Sequence, residues 1–253
     1  PRPPGAKGIH NRQNVVGVIL YRPKTARDFV GEDECVMQAA MNVYFHEDFY
    51  QVYTADPAAA AGRMEAIVAA IENEAVFETC QPAEDVDLLR AHSQSHIDLV
   101  HDTGVYGIAA LAAGGAIQAA TCGLEEPAFA LIRPPGHHAS AESCWGFCYF
   151  NNMAVALLRL KAEGSINRAM VLDFDLHFGD GNVNILGQRS WVTIINPESA
   201  SVGSYLEQTE RALNGVEFDI IGVSAGFDNH RDDWGGLLAT KDYEELGRMV
   251  HRA

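Results

Sequence analysis

The segment RAMVLDFDLHFGDG, residues 168–181, joins a buried strand to a polar loop that contains two glycines. The apolar residues that end at Leu172 are typical of a strand covered on both faces. If the chain stays extended beyond that point, Asp173, Asp175 and His177 project to the same side. Two carboxylates so close together repel one another unless a cation lies between them. The segment therefore predicts a metal ion at the end of this strand.

A second strand, FDIIGVSAGFD (218–228), ends in an aspartate that completes a set of three ligands. Zinc accepts histidine nitrogen and carboxylate oxygen, and catalytic zinc sites keep one position open for water. We therefore expect Asp175, His177 and Asp228 to bind one metal ion per chain. Iron(II) and cobalt(II) suit this donor set as well as zinc. A simpler interpretation, in which an aspartate only caps the following helix, explains one carboxylate but not the combination.

The rest of the chain alternates between apolar strands and helical segments, which predicts an α/β fold with a parallel sheet covered on both faces. The expected strands are NVYFHEDF after Met41, 127–136, 168–181, 191–197 and 218–228. The expected helices are 56–74, 91–102, 107–123, 151–164 and 240–253. Asp56 and Pro57 are expected to begin the first helix, and Thr240 to cap the last. The Ala- and Gly-rich helix 107–123 is expected to pack closely on its neighbours.

The motif RPPGHHAS, residues 133–140, places two adjacent histidines after a Pro-Pro-Gly turn at another strand end. In parallel α/β sheets, chemistry is found at the carboxyl ends of the strands. Beside a metal ion, one imidazole can accept a proton from water and another can donate one to a leaving group. We expect His137 and His138 to act in this way, with Asp173 and Asp180 as their carboxylate partners. The pair alone is equally compatible with a structural role.

Composition narrows the classes of function. The net charge is -16, and residues 1–40 carry six Lys/Arg against four Asp/Glu, so the negative charge lies in the remaining residues. An acidic body disfavours nucleic acid and favours cationic small molecules or basic peptides, although solubility alone explains the acidity equally well. No apolar run is long enough to cross a bilayer. Five cysteines, an odd and sparse set, predict reduced thiols and a cytoplasmic protein.

Four motifs, RPPGHHA, GFCYFNN, DFDLHFGDG and SAGFD, occur in an order and spacing that resemble a known family. The chain resembles the zinc-dependent deacetylases that include histone deacetylases and bacterial acetylpolyamine amidohydrolases. The similarity runs from about Met41 to the end of the chain. It implies the arginase/deacetylase-like α/β fold, with three layers and a central, mostly parallel sheet. It also implies hydrolysis of an acetylated amine, either a small acetylated amine such as an acetylpolyamine or an acetyl-lysine peptide.

The resemblance implies roles for individual residues. The residues that match the metal ligands are Asp175, His177 and Asp228. Those that match the wall of a narrow substrate channel are Gly146 and Phe147. His138 matches the base that activates water, with Asp180 behind it. His137 matches the second histidine, an electrostatic group and proton donor, with Asp173 as its partner. Family members also bind potassium near the metal loop, so the resemblance extends to K⁺.

The match also departs from the family pattern. Relatives carry an oxyanion-stabilising tyrosine in a Gly-Gly-Tyr segment on a later strand, and this sequence has no such segment. The sequence ends at Ala253 inside a predicted helix. We therefore expect residues 41–253 to form a catalytic domain truncated at the C-terminus, and residues 1–40 to be an upstream extension or an artificial segment. A sheet that lacks a strand exposes an edge, which predicts poor solubility, homo-oligomerisation across the gap, or coverage by residues 1–40.

Two further departures concern the surroundings of the metal loop and the channel. Phe178 stands where many family members have another histidine. No second channel aromatic is evident after WVTIINP (191–197), so the channel is expected to be open on that side.

Alternative functions stay open at this point. A binuclear hydrolase of the arginase type needs a second ligand set, and the spacing from His177 to Asp180 favours one metal ion. A catalytically impaired module that holds a metal and binds acylated amines needs no oxyanion donor. A structural zinc cluster would use both histidines with Cys144 and Cys148, but their aromatic neighbours favour buried, inert thiols. A serine hydrolase is disfavoured because no Gly-x-Ser-x-Gly occurs.

Overall fold

The computed structural model describes residues 17–21, 40–56 and 59–253, and in this part of the chain seven strands form one sheet. The strands are β1 (Gly17–Tyr21), β2 (Met41–Phe45), β3 (Ala75–Thr79), β4 (Ala128–Ala130), β5 (Ala169–Asp173), β6 (Val192–Ile195) and β7 (Ile220–Ala225). Their order across the sheet is β3-β2-β4-β1-β7-β5-β6. Neighbouring strands are parallel except at β1, which is antiparallel to both β4 and β7. The expected α/β fold with a mostly parallel central sheet is confirmed.

Helices connect these strands. A single 3₁₀ turn covers Glu47–Tyr50, and the α-helices of the described residues are α1 (Arg63–Ile71), α2 (Asp85–Leu88), α3 (Gln94–Asp102), α4 (Tyr106–Cys122), α5 (Asn152–Ala162), α6 (Asp180–Leu186), α7 (Val202–Leu213) and α8 (Thr240–Arg252). Among these helices, none combines the length and the apolar character that crossing a membrane requires.

The side chains of β5 enter two different cores, one on each face of the sheet. Ala169 and Val171 pack in a core that contains the buried residues of α4 and α5. Met170 and Leu172, which alternate with them, pack against side chains of α7 and α8. All five residues of β5 are buried as a result. The expected three-layer arrangement, with helices on both faces, follows from this alternation.

Helix α4 packs unusually close to the chain beneath it because its inner face is built from alanine and glycine. Residues 109–116 are all buried. A Cβ atom on Gly114 would lie 2.6 Å from the backbone nitrogen of Ala83, and one on Gly115 would lie 2.7 Å from the Sγ of Cys80. The predicted close packing of this helix is confirmed.

The first and last predicted helices begin differently from expectation. Helix α1 begins at Arg63, because Gly62 before it is left-handed (φ 85°) and cannot continue a right-handed helix. The prediction that Asp56 caps this helix is therefore wrong, and Pro57 lies outside the described residues. The cap of α8 is Ala239, whose N–H donates to Asp242 Oδ2 at 2.8 Å. Thr240 is thus the first helical residue and not the cap.

Strand β4 is much shorter than the predicted segment 127–136. It ends at Ala130, shortly before the two consecutive prolines Pro134 and Pro135. Proline has no N–H to donate to a neighbouring strand, which explains why regular pairing does not extend into this segment.

Strand β1 lies in the middle of the sheet. Val18 is paired with Ala130 of β4 on one side and with Ser224 of β7 on the other. The strand belongs to the segment 1–40 and is paired with a neighbouring strand on each side. The assignment of residues 1–40 as an upstream extension stays a prediction.

Gly114→Ala tests the close packing of α4. We expect the substitution to lower the free energy of unfolding by about 1–3 kcal/mol, because the added methyl overlaps the backbone near Ala83. Gly107→Ala, in the same helix, is the matched control, since a Cβ atom there meets nothing within 4 Å. The control should be neutral or stabilising by up to about 1 kcal/mol. Urea unfolding measures both, and equal effects of the two substitutions would contradict the packing described here.

Candidate active site

Loops that follow β4, β5 and β7 bring the predicted site residues together at one end of the sheet. The loop after β5 supplies Asp175 and His177, and the loop after β7 supplies Asp228. One potential ligand atom from each of the three lies within 4.8 Å of the others, and no other such group of three is present in the described part of the chain. His177 Nδ1 is 3.1 Å from Asp175 Oδ1 and 2.8 Å from Asp228 Oδ2. The three residues predicted to bind a metal therefore form one cluster.

The buried carboxylate of Asp228 fits a bound cation. Its Oδ1 accepts a hydrogen bond from the backbone N–H of Leu176 at 3.0 Å. Its Oδ2 is buried, accepts no hydrogen bond of good geometry from the described residues, and lies 2.8 Å from Nδ1 of the candidate ligand His177. Burial and the nearby Asp175 carboxylate both raise the pKa of Asp228. Because a buried carboxylate oxygen that accepts no well-formed hydrogen bond is costly, the donor set of this cluster suits a divalent cation.

Glycine gives the two ligand loops room to meet. Gly226 directly follows β7, and a Cβ atom at this position would overlap the carboxylate of Asp175. Only glycine therefore lets the backbone of one loop pass so close to the side chain of the other. The carboxylate of Asp175 also accepts the backbone N–H of His177 at 2.8 Å, which holds the two candidate ligands together.

His137 lies beside this cluster and is paired with a buried aspartate. Its Nδ1 is 3.1 Å from Asp173 Oδ2, which also accepts a hydrogen bond from Asn182 Nδ2 at 3.0 Å. Its Nε2 faces Asp175 Oδ2 at 4.0 Å. Burial alone would lower the pKa of His137, but the charge and hydrogen bond of Asp173, together with the charges of Asp175 and Asp228, outweigh burial and raise this pKa to about 9.

His138 is paired with the other predicted aspartate. Its Nδ1 lies 2.6 Å from Asp180 Oδ1, which leaves Nε2 free of this partner. Burial and the neighbouring charge of His137 lower the pKa of His138 to about 4. The two imidazole rings are 3.9 Å apart. Adjacent histidines are thus held in environments that favour opposite protonation states, an arrangement typical of paired acid and base groups.

The predicted channel residues follow in the loop 140–151. Gly146 and Phe147 are both left-handed, with φ of 56° and 53°. A Cβ atom on Gly146 would lie 2.9 Å from His138 Cδ2, so glycine is needed for the backbone to approach the imidazole. A left-handed phenylalanine is strained, and strain of this kind is concentrated at functional sites.

Two tryptophans at the site were not assigned a role by sequence reasoning. Trp145 donates its indole N–H to Asp180 Oδ2 at 2.9 Å, and its ring stacks on His138 at 3.7 Å. The ring of Trp234 lies edge-on to His177 at 5.7 Å and is 58 % exposed. An aromatic residue therefore does lie beside the cluster, although it follows β7 and not the WVTIINP strand. Its position six residues after Asp228 was the available signal.

Two buried histidines support the loop 140–151. His92 Nδ1 bonds the backbone oxygen of Ser140 at 2.9 Å, and its Nε2 accepts the backbone N–H of Asn151 at 2.9 Å. His96 stacks on His92 and bonds the backbone oxygen of Tyr149 at 2.8 Å. Because the contacts reach both ends of the loop, they fix the part of the chain that carries Trp145. Sequence reasoning missed both histidines, which occur in an ordinary helical segment.

The alternative zinc cluster is not formed. Cys148 is a buried residue of the loop 140–151, and burial raises its pKa well above the usual value for a thiol. Burial also raises the pKa of Cys144. Both histidines already use Nδ1 to contact aspartates, and in the described part of the chain no group of three potential metal ligands contains a cysteine. Cys148 is therefore buried, as the neighbouring aromatic residues predicted, whereas Cys144 is half-buried.

Known proteins resemble this chain in sequence and in fold. A sequence profile of the histone deacetylase domain matches residues 98–197. A "Probable deacetylase" of Methanothermobacter thermautotrophicus is 31% identical over 229 residues, which cover 68% of this chain and 69% of that protein. "Polyamine deacetylase HDAC10" of Danio rerio is 38% identical over 111 residues, or 43% of this chain and 16% of that protein. The crystal structure of the HDA15 HD domain superimposes with a TM-score of 0.54 at 26% identity, covering 62% of this chain and 52% of that one.

The matches connect the chain to deacetylases both by sequence and by fold. The chain belongs to the histone deacetylase family, in which polyamine deacetylases are also found. It spans about two thirds of the Methanothermobacter protein and about half of the HDA15 domain. The family and the deacetylase-like fold expected from the four motifs are confirmed.

We expect acid to lower the free energy of unfolding partly because His92 is buried in the folded protein. Burial, together with the neighbouring His96, lowers the pKa of His92 to about 3 in the folded state, whereas an unfolded histidine titrates near pH 6.5. Below about pH 6.5, His92 therefore binds a proton in the unfolded chain but not in the folded chain. We expect this residue to lower the free energy of unfolding by up to about 1.4 kcal/mol per pH unit between pH 6.5 and pH 3.

Urea unfolding at several pH values measures this dependence in the native chain and in His92→Gln, which keeps a donor and an acceptor but does not titrate. The variant should show the shallower pH dependence. His101→Gln, at an exposed histidine of the nearby helix α3, is the control and should leave the slope unchanged. Identical slopes in the native chain and His92→Gln would contradict the prediction.

Proposed function

We propose that this chain carries the active site of a metal-dependent deacetylase that hydrolyses an acetylated amine. The observation that supports this most directly is the contact between the two parts of the site. His137 Nε2 lies 4.0 Å from Asp175 Oδ2, so the histidine pair borders the group of three candidate ligands. A metal ion and an acid-base pair would therefore face the same small volume, as hydrolysis of an amide requires.

Asp175, His177 and Asp228 are the proposed metal ligands, with zinc as the proposed ion and one ion per chain. Iron(II) and cobalt(II) fit the same oxygen and nitrogen donors. The cluster is the one group of its kind in the described residues, which supports a mononuclear site over the arginase-like binuclear alternative. Potassium near the loop, as the resemblance implied, stays a prediction.

The proposed reaction breaks the amide C–N bond with one water molecule and yields acetate and a free amine. A divalent cation in the cluster would supply Lewis acidity toward the amide carbonyl and toward water. His138, whose Nδ1 is held by Asp180, accepts the proton of the attacking water at Nε2. His137, held through Nδ1 by Asp173, stabilises negative charge on the carbonyl side and donates a proton to the leaving amine.

The proposed substrate is an acetylated amine whose chain runs between aromatic and glycine-lined walls. Gly146 and Phe147 form the proposed wall beside His138, and Trp234 forms the wall beside His177. The net charge of -16 favours substrates that are cationic outside the acetylated end, such as an acetylpolyamine or an acetyl-lysine peptide. The name of the Danio rerio relative supports the first of these.

The cellular location and the partners of the chain are proposed from its cysteines, its charge and its sheet. The described cysteines Cys80, Cys122, Cys144 and Cys148 are all free thiols, which supports a reducing, cytoplasmic location. Homo-oligomerisation, and the exclusion of nucleic acid as a partner, stay predictions from charge and sheet organisation.

Metal binding tests the proposed ligands. We expect the chain to bind one equivalent of zinc, and Asp228→Asn to weaken that affinity by more than about 100-fold, because a neutral amide replaces a buried carboxylate ligand. Asp102→Asn removes an equally charged but exposed side chain at the end of α3 and should leave the affinity unchanged. Calorimetric titration after chelation measures both. Equal affinity in both variants would exclude Asp228 as a ligand.

Turnover tests the role of the histidine pair. With an N-acetylated polyamine and an acetyl-lysine peptide as substrates, we expect release of acetate. His138→Gln should lower kcat by about 10²–10⁴-fold while zinc stays bound, since the variant cannot accept the proton of the attacking water. If the native chain binds a hydroxamate but hydrolyses neither substrate, it is a metal-containing acyl-amine binding module and the proposed activity is wrong.

A further inference from the structure

We propose that Trp145 is a positioning residue for catalysis, which acts through Asp180 and His138. The inference rests on the proposed function, because it assigns Trp145 to the support of the proposed base. It is carried by three observations: a hydrogen bond to the carboxylate, a ring stacked on the imidazole, and a backbone that holds the tryptophan in place.

The first observation is that the two carboxylate oxygens of Asp180 contact two different side chains. Oδ1 contacts His138 Nδ1 at 2.6 Å, and Oδ2 accepts the indole N–H of Trp145 at 2.9 Å. The side chain of Asp180 is 43% exposed, so water competes for both oxygens and the carboxylate can rotate unless a second donor fixes it. The indole N–H supplies such a donor at Oδ2, and it cannot also accept a bond. Together with the backbone N–H of Gly181, which also contacts this carboxylate, Trp145 holds Oδ1 toward His138.

The second observation concerns the faces of the His138 ring. The ring lies beside His137, with centroids 3.9 Å apart and planes tilted by 41°, and it stacks on Trp145, with centroids 3.7 Å apart and an interplanar angle of 28°. The imidazole is thus in contact with two other rings, of which the indole is the one stacked on it. When His138 accepts a proton, the indole face attracts the resulting cation, because the face of tryptophan is the most favourable aromatic surface for positive charge. The stacking therefore supports the charged form that the reaction produces.

The third observation is that the position of Trp145 is built into the loop. Its backbone oxygen accepts the N–H of Cys148 at 3.1 Å, and the two residues between them are the left-handed Gly146 and Phe147. Trp145 is 54% exposed even so, although most large apolar residues are placed inside. The ring of Trp145 is thus exposed, is held in a constrained turn, and contacts both members of the His138–Asp180 pair. Its action on that pair explains this position better than packing does.

Trp145→Phe separates the hydrogen bond from the stacking. Phenylalanine keeps a ring over His138 but has no donor for Asp180 Oδ2. We expect kcat for an acetylated amine to fall by about 10- to 100-fold with KM changed by less than about 2-fold, because the loss affects the base and not the substrate. Trp191→Phe is the matched control, since Trp191 packs against the core and lies near Lys161, and it should leave kcat unchanged.

A double-mutant cycle with Asp180→Ala tests whether Trp145 acts through the carboxylate. In the Asp180→Ala background, Trp145→Phe should cause little further loss of kcat, because the acceptor of its hydrogen bond is gone. An equal loss in both backgrounds, an unchanged kcat in the single variant, or a change confined to KM would each overturn the proposal.

A readout that does not depend on turnover separates this proposal from the proposed function. The full chain gives one indole N–H resonance in a ¹H–¹⁵N spectrum for each of its three tryptophans, and Trp145→Phe and Trp191→Phe assign two of them. Asp180→Ala should shift the Trp145 resonance and leave the Trp191 resonance in place. If the Trp145 resonance does not move, the contact is absent and the inference is wrong. If it moves but the native chain hydrolyses no acetylated amine, the proposed function fails while the contact stands.

Discussion

The site depends on burying carboxylates at the ends of two neighbouring strands, β5 and β7. A carboxylate in an apolar interior is stable only when a donor or a cation offsets the loss of water. Asp173 is satisfied by His137 and Asn182, whereas Asp228 accepts a well-formed hydrogen bond only at Oδ1, and its Oδ2 faces the candidate ligand His177 at 2.8 Å. The loops, the glycine beside Asp175 and the histidine pair all contribute to placing these carboxylates close to groups that can compensate their charge. The buried negative charge of these carboxylates therefore explains both features of the site. It requires compensation for the fold to be stable, and it favours binding of a cation.

Much of the site could be predicted because its residues follow apolar strands directly. The ends of β5 and β7 are easily recognised, and a parallel sheet brings such ends to one edge, so Asp175, His177 and Asp228 were expected to meet. Trp145 and His92 were not predicted, because their contacts run between distant segments and leave no periodic pattern. The start of α1 was misplaced for a local reason, the left-handed Gly62. A helical pattern in the sequence does not reveal such a residue when glycine is also tolerated inside helices.

The loop 140–151 shows how a rigid scaffold presents an irregular segment. His92 bonds the backbone at Ser140 and Asn151, the two ends of the loop, while its ring stacks on His96. Asn151 also caps helix α5, since its side chain accepts the N–H of Ala154 at 2.8 Å. The loop is therefore attached to α5 and to the residues just before α3. Its left-handed residues are held from both sides, which allows a strained conformation to persist beside His138.

The antiparallel strand β1 has a consequence for how the molecule assembles. It joins two half-sheets, β3-β2-β4 and β7-β5-β6, and its partners lie more than one hundred and more than two hundred residues further along the chain. Pairings of such high contact order form slowly, because a long loop must close first. The histidine pair follows one half-sheet and the carboxylate cluster follows the other. The candidate site thus draws on both half-sheets, and the five residues of β1 supply the backbone pairing that joins them.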